Sequence, residues 1–260
     1  MKLRKCFAGV VIALGVGVGP AQAALIDLGF ALDRSGSVGG TNWNTVVNGL
    51  ANALSLIPTS GANQYRIAVS SFASTATLDL APTIVTSGNL VSLQNIIRGL
   101  AYTGGGTNIS TATTALTTAY TGLGFGDLSL LNISTDGSSS GPTALDLRNS
   151  LVAAGWDSIS AEAIGSFNLT YLETLVSPNP GVTTSDPSAL PNPLQQGFVL
   201  TVNSFEGYEG ALAAKVRRVV DDTGGGTVPE PTSLALLGLG MFGLAAMRRR
   251  RDEGMLQTAA

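Results

Sequence analysis

The chain has 260 residues, with 17 acidic and 14 basic side chains, one cysteine and no histidine. Its only cysteine, Cys6, lies close to the amino terminus, so the rest of the chain can form no internal disulfide bond and has no thiol chemistry. The absence of histidine excludes a Ser-His-Asp triad and argues against a zinc or copper site.

Residues 1–23 have the pattern of a secretory signal peptide. A positively charged start at residues 2–5 precedes an apolar stretch at 7–18, and Ala21-Gln22-Ala23 is the small-x-small pattern that signal peptidase accepts. The apolar stretch is short for a permanent membrane helix. We therefore expect export and cleavage after Ala23, with a retained amino-terminal anchor as the alternative.

Residues 24–228 then form the mature part of the chain, which is long enough for one sizeable core and one domain. This span contains seven basic and fourteen acidic residues, a net charge of −7. It has no basic stripe along which a phosphate backbone could bind, which argues against nucleic acid as a partner.

The mature span alternates apolar runs of strand length with apolar residues at helical spacing. Strands are predicted at residues 25–32, 66–72, 75–85, 128–134, 158–164 and 198–202. Helices are predicted at residues 43–54, 90–100, 109–119, 144–154, 169–176 and 208–220. This alternation predicts an α/β fold, with a doubly wound, mostly parallel sheet and helices on both faces.

Three details refine this prediction. Pro82 indicates that the third strand lies at a sheet edge, because proline cannot donate to a strand ladder. Residues 177–193 contain five prolines and are expected to form an exposed loop. Trp43 and Trp156 are expected to pack in the core rather than to bind a partner.

Three short polar motifs follow strands or precede helices. Asp33-Arg34-Ser35-Gly36-Ser37 ends the first strand, Gly104-Gly105-Gly106-Thr107 precedes a helix, and Ser134-Thr135-Asp136-Gly137 ends the fourth strand. In open parallel sheets, ligands bind beyond the carboxyl ends of strands, where the strand order reverses. If the order is 3-2-1-4-5-6, the first and fourth strands are neighbours, and Asp33 and Asp136 face one crevice.

These motifs supply two carboxylates and three hydroxyls, which are the oxygen donors that Mg²⁺, Mn²⁺ and Ca²⁺ prefer. Each motif also has a local explanation, since such side chains often form turns or cap helices. It is their joint occurrence, in order and at strand ends, that predicts a metal site. The predicted ligands are Asp33, Ser35, Ser37, Thr107 and Asp136.

These five residues resemble the metal-ion-dependent adhesion site of the von Willebrand factor A (VWA) family, which is Asp-x-Ser-x-Ser followed by a distant Thr and a distant Asp. The resemblance covers residues 24–222 and implies that a divalent cation, Mg²⁺ above all, binds an acidic side chain of a partner. Arg34 occupies the variable second position, where its charge is expected to lower metal affinity or to contact a partner.

The carboxyl terminus has the features of a second signal. A Gly-rich linker at 223–228 precedes Pro229-Glu230-Pro231, an apolar run at 232–247 and arginines at 248–251. Residues 229–251 resemble the PEP-CTERM sorting tail of Gram-negative bacteria, which implies processing by an exosortase after transient association with the inner membrane. The short tail at 252–260 departs from that pattern, and a plain membrane anchor is the alternative.

These observations predict an exported cell-surface or extracellular-matrix protein that binds an acidic group of a protein or an exopolysaccharide through its metal. One alternative is a metal-dependent hydrolase in which the cation acts as a Lewis acid. The other is an envelope protein whose metal only stabilises the fold.

Overall fold

The computed structural model describes residues 23–137 and 139–224, which form a seven-stranded sheet covered by helices. The strands are β1 (Leu25–Asp33), β2 (Gln64–Phe72), β3 (Ala76–Ile84), β4 (Leu128–Thr135), β5 (Ser158–Ile164), β6 (Val182–Thr184) and β7 (Phe198–Val202). The helices are α1 (Gly39–Ala53), α2 (Leu90–Arg98), α3 (Ile109–Leu123), α4 (Ala144–Ala154), α5 (Leu169–Leu175) and α6 (Tyr208–Asp222).

The predicted signal peptide and sorting tail lie mostly outside the described residues. No helix within residues 23–137 and 139–224 has the length and apolar character needed to cross a membrane. The apolar run at 232–247, through which the tail is expected to associate transiently with the inner membrane, is not among these residues.

The strand order is β3-β2-β1-β4-β5-β7-β6, and every pairing is parallel except that of β2 with β3. The predicted doubly wound, mostly parallel sheet is therefore confirmed. β3 lies at the edge, as Pro82 indicated. β1 and β4 are neighbours, as the predicted strand order requires, and the predicted sixth strand, now β7, lies beside β5. The one difference is the additional edge strand β6.

Each face of the sheet carries three helices. Alternate residues of β1 point to opposite faces, so Ile26, Phe30 and Leu32 pack with α1, α2 and α6, while Ala31 packs with α3, α4 and α5. Because helices cover both faces, the central strands are buried on both sides, and the polar residues that they carry, such as Glu162 of β5, lie inside the core. With both faces covered, the polar loops emerge at the ends of the strands.

Both tryptophans pack in the core, as expected. Trp43 is 1% exposed, and its Nε1 donates to the Leu100 carbonyl at 2.7 Å. Trp156 is equally buried and meets Tyr120 edge to face, with 5.3 Å between ring centroids. Gly29 of β1 leaves room for the Trp156 ring, since a β-carbon there would lie 2.6 Å from a ring carbon. A larger residue at position 29 would therefore displace the tryptophan.

The prediction that residues 177–193 form only an exposed loop is wrong in two places. Val182–Thr184 form β6, which pairs with β7 and occupies the far edge of the sheet. Leu190 is buried and belongs to the core on the α1, α2 and α6 face. A three-residue strand is too short to show an alternating pattern, and the surrounding prolines have the sequence signature of turns.

A buried charged network fastens α6 to the sheet, and nothing in the sequence pattern indicated it. Lys215 Nζ lies 2.7 Å from Glu162 Oε1 of β5. Glu162 Oε2 accepts hydrogen bonds from the Asn132 amide at 2.8 Å and the Ser134 hydroxyl at 2.7 Å, and Lys215 also donates to Asn132. The network therefore joins α6, β5 and β4 inside the core.

Candidate metal site at the carboxyl end of the sheet

Two of the three polar motifs lie side by side at the carboxyl ends of two neighbouring central strands. β1 ends with Asp33 and β4 ends with Thr135, and the two strands pair in parallel up to Leu32 and Ser134. Because the carboxyl ends of neighbouring parallel strands lie next to each other, Asp136 lies beside the loop that follows Asp33. The predicted convergence of Asp33 and Asp136 is confirmed.

Asp33 is only 2% exposed, and both of its carboxylate oxygens accept hydrogen bonds. The Ser35 backbone N–H donates to Oδ1 at 2.8 Å, and the Thr135 hydroxyl donates to Oδ2 at 2.6 Å. These two bonds fix the direction of the carboxylate. They leave lone pairs free on both oxygens, so Asp33 retains the capacity to interact with a cation.

The two serines connect the first motif with Asp136. Ser35 Oγ and Ser37 Oγ are 3.1 Å apart, and the Ser37 hydroxyl donates to Asp136 Oδ1 at 2.7 Å. Ser35 and Asp136 are buried, whereas Ser37 is exposed. The side-chain oxygens of these three residues therefore form a continuous series, and its middle member, Ser37, is exposed.

Thr107 reaches the same place from the loop before α3. A β-carbon built on Gly137 would lie 3.4 Å from Thr107 Oγ1 and 3.8 Å from Ser37 Oγ, so both hydroxyls border this glycine. The Ser140 backbone N–H donates to the Thr107 carbonyl at 2.8 Å and ties the two loops together. All five predicted ligands thus come together at one end of the sheet.

The glycine loop is held against the first motif by backbone hydrogen bonds. Gly36 N–H donates to the Gly105 carbonyl at 2.8 Å, and Gly104 N–H donates to the Arg34 carbonyl at 3.1 Å. Gly104 and Gly105 have φ values of 72° and 113°, in the left-handed region that favours glycine. The triple glycine therefore provides the backbone conformation that brings Thr107 to the aspartates.

Burial makes the two carboxylates costly to keep charged without a partner. It raises the pKa of Asp33 above the usual value, against the lowering effect of the hydrogen bonds from Ser35 and Thr135. Burial also raises the pKa of Asp136, and the nearby charge of Asp33 raises it further, against the hydrogen bond from Ser37. A cation next to both carboxylates would offset this desolvation and repulsion.

The donor chemistry fits a hard divalent cation. The five side chains offer only oxygen atoms, of which two belong to carboxylates and three to hydroxyls. In residues 23–137 and 139–224, no three His, Cys, Asp or Glu side chains come together. A thiolate or imidazole site of the structural zinc type is therefore absent from that part of the chain.

The Arg34 side chain is engaged within the protein. Its Nη2 donates to the Thr77 hydroxyl of β3 at 2.8 Å, and its Nη1 donates to the Ala101 carbonyl at 3.5 Å. The guanidinium therefore joins the edge strand to the segment after α2. This gives Arg34 a structural role that the sequence did not indicate.

Three further residues support the site and were missed by the sequence reasoning. Thr135 orients Asp33, Ser74 Oγ accepts from the Gly106 N–H at 2.9 Å, and the Tyr102 hydroxyl donates to the Ser35 carbonyl at 3.2 Å. Thr135 lies within a motif that the sequence analysis had already singled out. Ser74 and Tyr102 show no pattern of their own, because their contacts depend on how the loops fold together.

The model of the von Willebrand factor type A domain matches residues 27–189, which is more than half of the chain. The chain belongs to the von Willebrand factor type A domain family. The matched span includes all five predicted ligands of the VWA site. β7 and α6 lie beyond the match but complete the same sheet and core.

Solved VWA folds resemble this chain at low sequence identity. Proximal thread matrix protein 1 from the mussel byssus is 19% identical with a TM-score of 0.56, and the alignment covers 75% of this chain and 46% of that one. A structure of the same mussel protein with a zinc-occupied MIDAS motif is 18% identical with a TM-score of 0.54, at the same coverage. A von Willebrand factor type A protein from Catenulispora acidiphila is 13% identical with a TM-score of 0.58, and covers 75% of this chain and 42% of its own.

This chain therefore spans less than half the length of these proteins, and at such identities the likeness shows the fold alone. A search of curated protein sequences gives no match. The PEP-CTERM protein-sorting motif matches residues 227–251, which confirms the predicted resemblance of the tail. A VWA domain followed by this motif indicates an exported protein of the cell surface or matrix.

Proposed function

We propose that this VWA protein holds a divalent cation with Asp33, Ser35, Ser37, Thr107 and Asp136, and uses it to bind an acidic group of a surface or matrix partner. The observation that carries the proposal is the convergence of these oxygen-bearing side chains at the carboxyl end of β1 and β4. Ser37 is an exposed residue, which supports access to the site from solvent. Mg²⁺ is the preferred cation, with Mn²⁺ and Ca²⁺ as alternatives.

The balance of charge between the cation and its ligands favours a metal that binds an outside ligand over one that only stabilises the fold. Two carboxylates only just balance the double charge of the cation, and three neutral hydroxyls leave it electrophilic. Mg²⁺ commonly keeps water ligands in protein sites, which an outside carboxylate can replace. The VWA relative from mussel with a zinc-occupied MIDAS motif supports a divalent cation in this fold without identifying the ion used here.

Hydrolysis assisted by the metal is the second function to be tested. The chain has no histidine to act as a general base, and both carboxylates of the site accept hydrogen bonds from neighbouring side chains. A screen against ester, peptide and glycoside substrates should therefore show no Mg²⁺-dependent turnover. A higher melting temperature in Mg²⁺ than in EDTA, with no binding of any ligand, would favour a metal that only stabilises the fold.

We also propose that both ends of the chain are sorting signals, with residues 1–23 as the signal peptide, 24–222 as the VWA domain, 223–228 as the linker, 229–251 as the sorting signal and 252–260 as the tail. The PEP-CTERM match supports the carboxyl-terminal half of this proposal. Signal peptidase and an exosortase would then be processing partners, with a membrane-associated stage before release to the cell surface or matrix.

The proposed processing predicts where the exported protein begins and ends. Because Ala21-Gln22-Ala23 precedes the domain and the PEP-CTERM motif follows it, we expect the mature chain to start near Ala24 and to lack the residues after the apolar run. Mass spectrometry of surface-exposed protein from the native host measures both ends. Recovery of peptides from 248–260 on that protein would instead indicate a retained membrane anchor.

Thr107→Ala should weaken partner binding more than it weakens metal binding. VWA resemblance implies that this hydroxyl reaches the ion mainly in the ligand-bound state, and the substitution leaves both carboxylates in place. Calorimetric titration with Mg²⁺, followed by partner binding, measures the two effects separately. Thr118→Ala, an exposed threonine of α3 away from the site, is the matched control and should change neither. Equal losses in both titrations would show that Thr107 is an ordinary ligand of the resting site.

The experiment that tests the proposed function is retention of the exported protein on extracts of the host matrix. We expect retention in Mg²⁺ and release when EDTA removes the cation. A hydrolase would instead alter a component of the extract, which chromatography of that extract before and after incubation would reveal. Equal retention in Mg²⁺ and EDTA would contradict metal-dependent binding.

A further inference from the structure

We propose that the acidic group recognised by this site belongs to a sugar, and that Tyr102 stacks on the ring that bears the carboxylate or on its neighbour. This inference rests on the proposed function and names its partner class: a polysaccharide of mostly neutral sugars with spaced uronic acid residues. Three observations support it: the position of Tyr102, the way its segment is held, and the absence of charge around the site.

Tyr102 is 36% exposed, which makes it the most exposed aromatic side chain of the described residues. Its hydroxyl donates to the carbonyl of Ser35, one of the predicted ligands, at 3.2 Å. A β-carbon built on Gly40 would lie 3.6 Å from the ring, and one built on Gly104 would lie 3.3 Å from its hydroxyl oxygen. The ring therefore lies between the first motif and the glycine loop, with part of its surface open to solvent.

The segment that carries Tyr102 is held on both sides. The Leu100 carbonyl accepts a hydrogen bond from Trp43 at 2.7 Å, and the Ala101 carbonyl accepts one from Arg34 at 3.5 Å. On the other side, Gly104 N–H is bonded to the Arg34 carbonyl at 3.1 Å. A ring fixed in this way loses little conformational freedom when it binds a ligand, which favours affinity.

The surroundings of the site are rich in hydroxyls and almost free of charge. In segments 33–40, 73–75, 101–108 and 136–143, Arg34 is the one basic residue, and the predicted ligands Asp33 and Asp136 are the two acidic residues. The exposed residues of these segments include Ser37, Ser74, Thr103, Ser140 and Thr143. Hydroxyl groups both donate and accept, and so suit the hydroxyls of a sugar chain.

Charge then distinguishes between classes of acidic partner. An acidic protein is ordinarily met by a complementary basic surface, and the Arg34 guanidinium is already bonded to Thr77 and Ala101. The span 24–228 has a net charge of −7, which repels a densely charged polyanion. A neutral sugar chain with widely spaced carboxylates avoids this repulsion and still supplies one carboxylate to the metal. An aromatic face beside the site adds the apolar contact that a sugar ring can use.

The test uses calorimetry on the exported protein with three probes in Mg²⁺: an oligosaccharide of alternating glucuronate and neutral sugar, the same oligosaccharide with its carboxyl groups reduced to alcohols, and a Glu-containing peptide. We expect binding of the first probe only, and its loss in EDTA. Tyr102→Ala should weaken that binding about tenfold, consistent with the loss of one aromatic contact. Tyr102→Phe keeps the ring and should bind within about twofold of the wild type.

Each outcome decides a different part of the proposal. Sugar binding of both Tyr102 variants is measured at Mg²⁺ concentrations that their own Mg²⁺ titrations show to be saturating. The loss of the hydroxyl's bond to the Ser35 carbonyl, which the two variants share, is thereby separated from the loss of the ring. If the peptide binds as tightly as the glucuronate probe, or if Tyr102→Ala binds that probe like the wild type, the sugar inference is overturned while the proposed function stands. If no carboxylated probe or matrix extract binds in a Mg²⁺-dependent way, the proposed function itself fails.

Discussion

Replacing Asp136 with alanine is expected to abolish Mg²⁺-dependent partner binding while the domain remains folded. Asp136 lies beyond the end of β4, so the substitution removes a carboxylate and little packing. The remaining site would have one carboxylate, Asp33, and three neutral hydroxyls. We expect metal affinity to fall more than about a hundredfold, since residues that only orient ligands already contribute about 10- to 100-fold.

Asp33→Ala should have the same effect on binding, with an added loss of stability. Asp33 is buried and accepts hydrogen bonds from Ser35 and Thr135, so its removal leaves two donors without a partner. Asp186→Ala, in an exposed loop, is the control for the loss of a negative charge. Binding that survives both Asp136→Ala and Asp33→Ala would place the metal elsewhere in the chain.

Lys215→Ala is expected to cause the largest loss of stability among the substitutions considered, about 3–5 kcal/mol, because it leaves Glu162 buried and without its cation. The side chains of Lys215 and Glu162 are 5% and 0% exposed, and their charged atoms are 2.7 Å apart. Burial lowers the pKa of Lys215, and the charge of Glu162 acts against that shift. The pair therefore depends on both members being present.

Urea unfolding monitored by circular dichroism measures this loss. Arg217→Ala is the matched control, because Arg217 is an exposed cation two residues away on the same helix, and its loss should change the free energy of unfolding by less than about 0.5 kcal/mol. If Lys215→Ala unfolds at the same urea concentration as Arg217→Ala, the buried pair contributes nothing to holding α6 on the sheet.

The fold and the candidate ligands could be predicted from the sequence because both depend on local signals. Strand-length segments rich in apolar residues alternate with amphipathic helices along the chain, and such helices act as crossover connections between parallel strands. Asp33 and Asp136 follow two such strands directly. Once those strands are neighbours, the meeting of the two carboxylates follows from the topology.

What the sequence did not indicate depends on contacts between distant segments. β6 is three residues long and owes its conformation to pairing with β7, so no periodicity could predict it. The pairing of Lys215 with Glu162 joins α6 to β5, and each residue alone looks like a solvated charge. Tyr102 is likewise unremarkable in sequence, and only the folded loops place its hydroxyl against the backbone of Ser35.

The central claim is that one divalent cation binds at the carboxyl end of β1 and β4, and calorimetric titration of the exported protein with Mg²⁺ and Mn²⁺ tests it most directly. We predict saturable binding of one ion per chain in the wild type, and none in the Asp33→Ala/Asp136→Ala double variant. Saturable binding that is unchanged in the double variant, or no binding in the wild type, would contradict the claim.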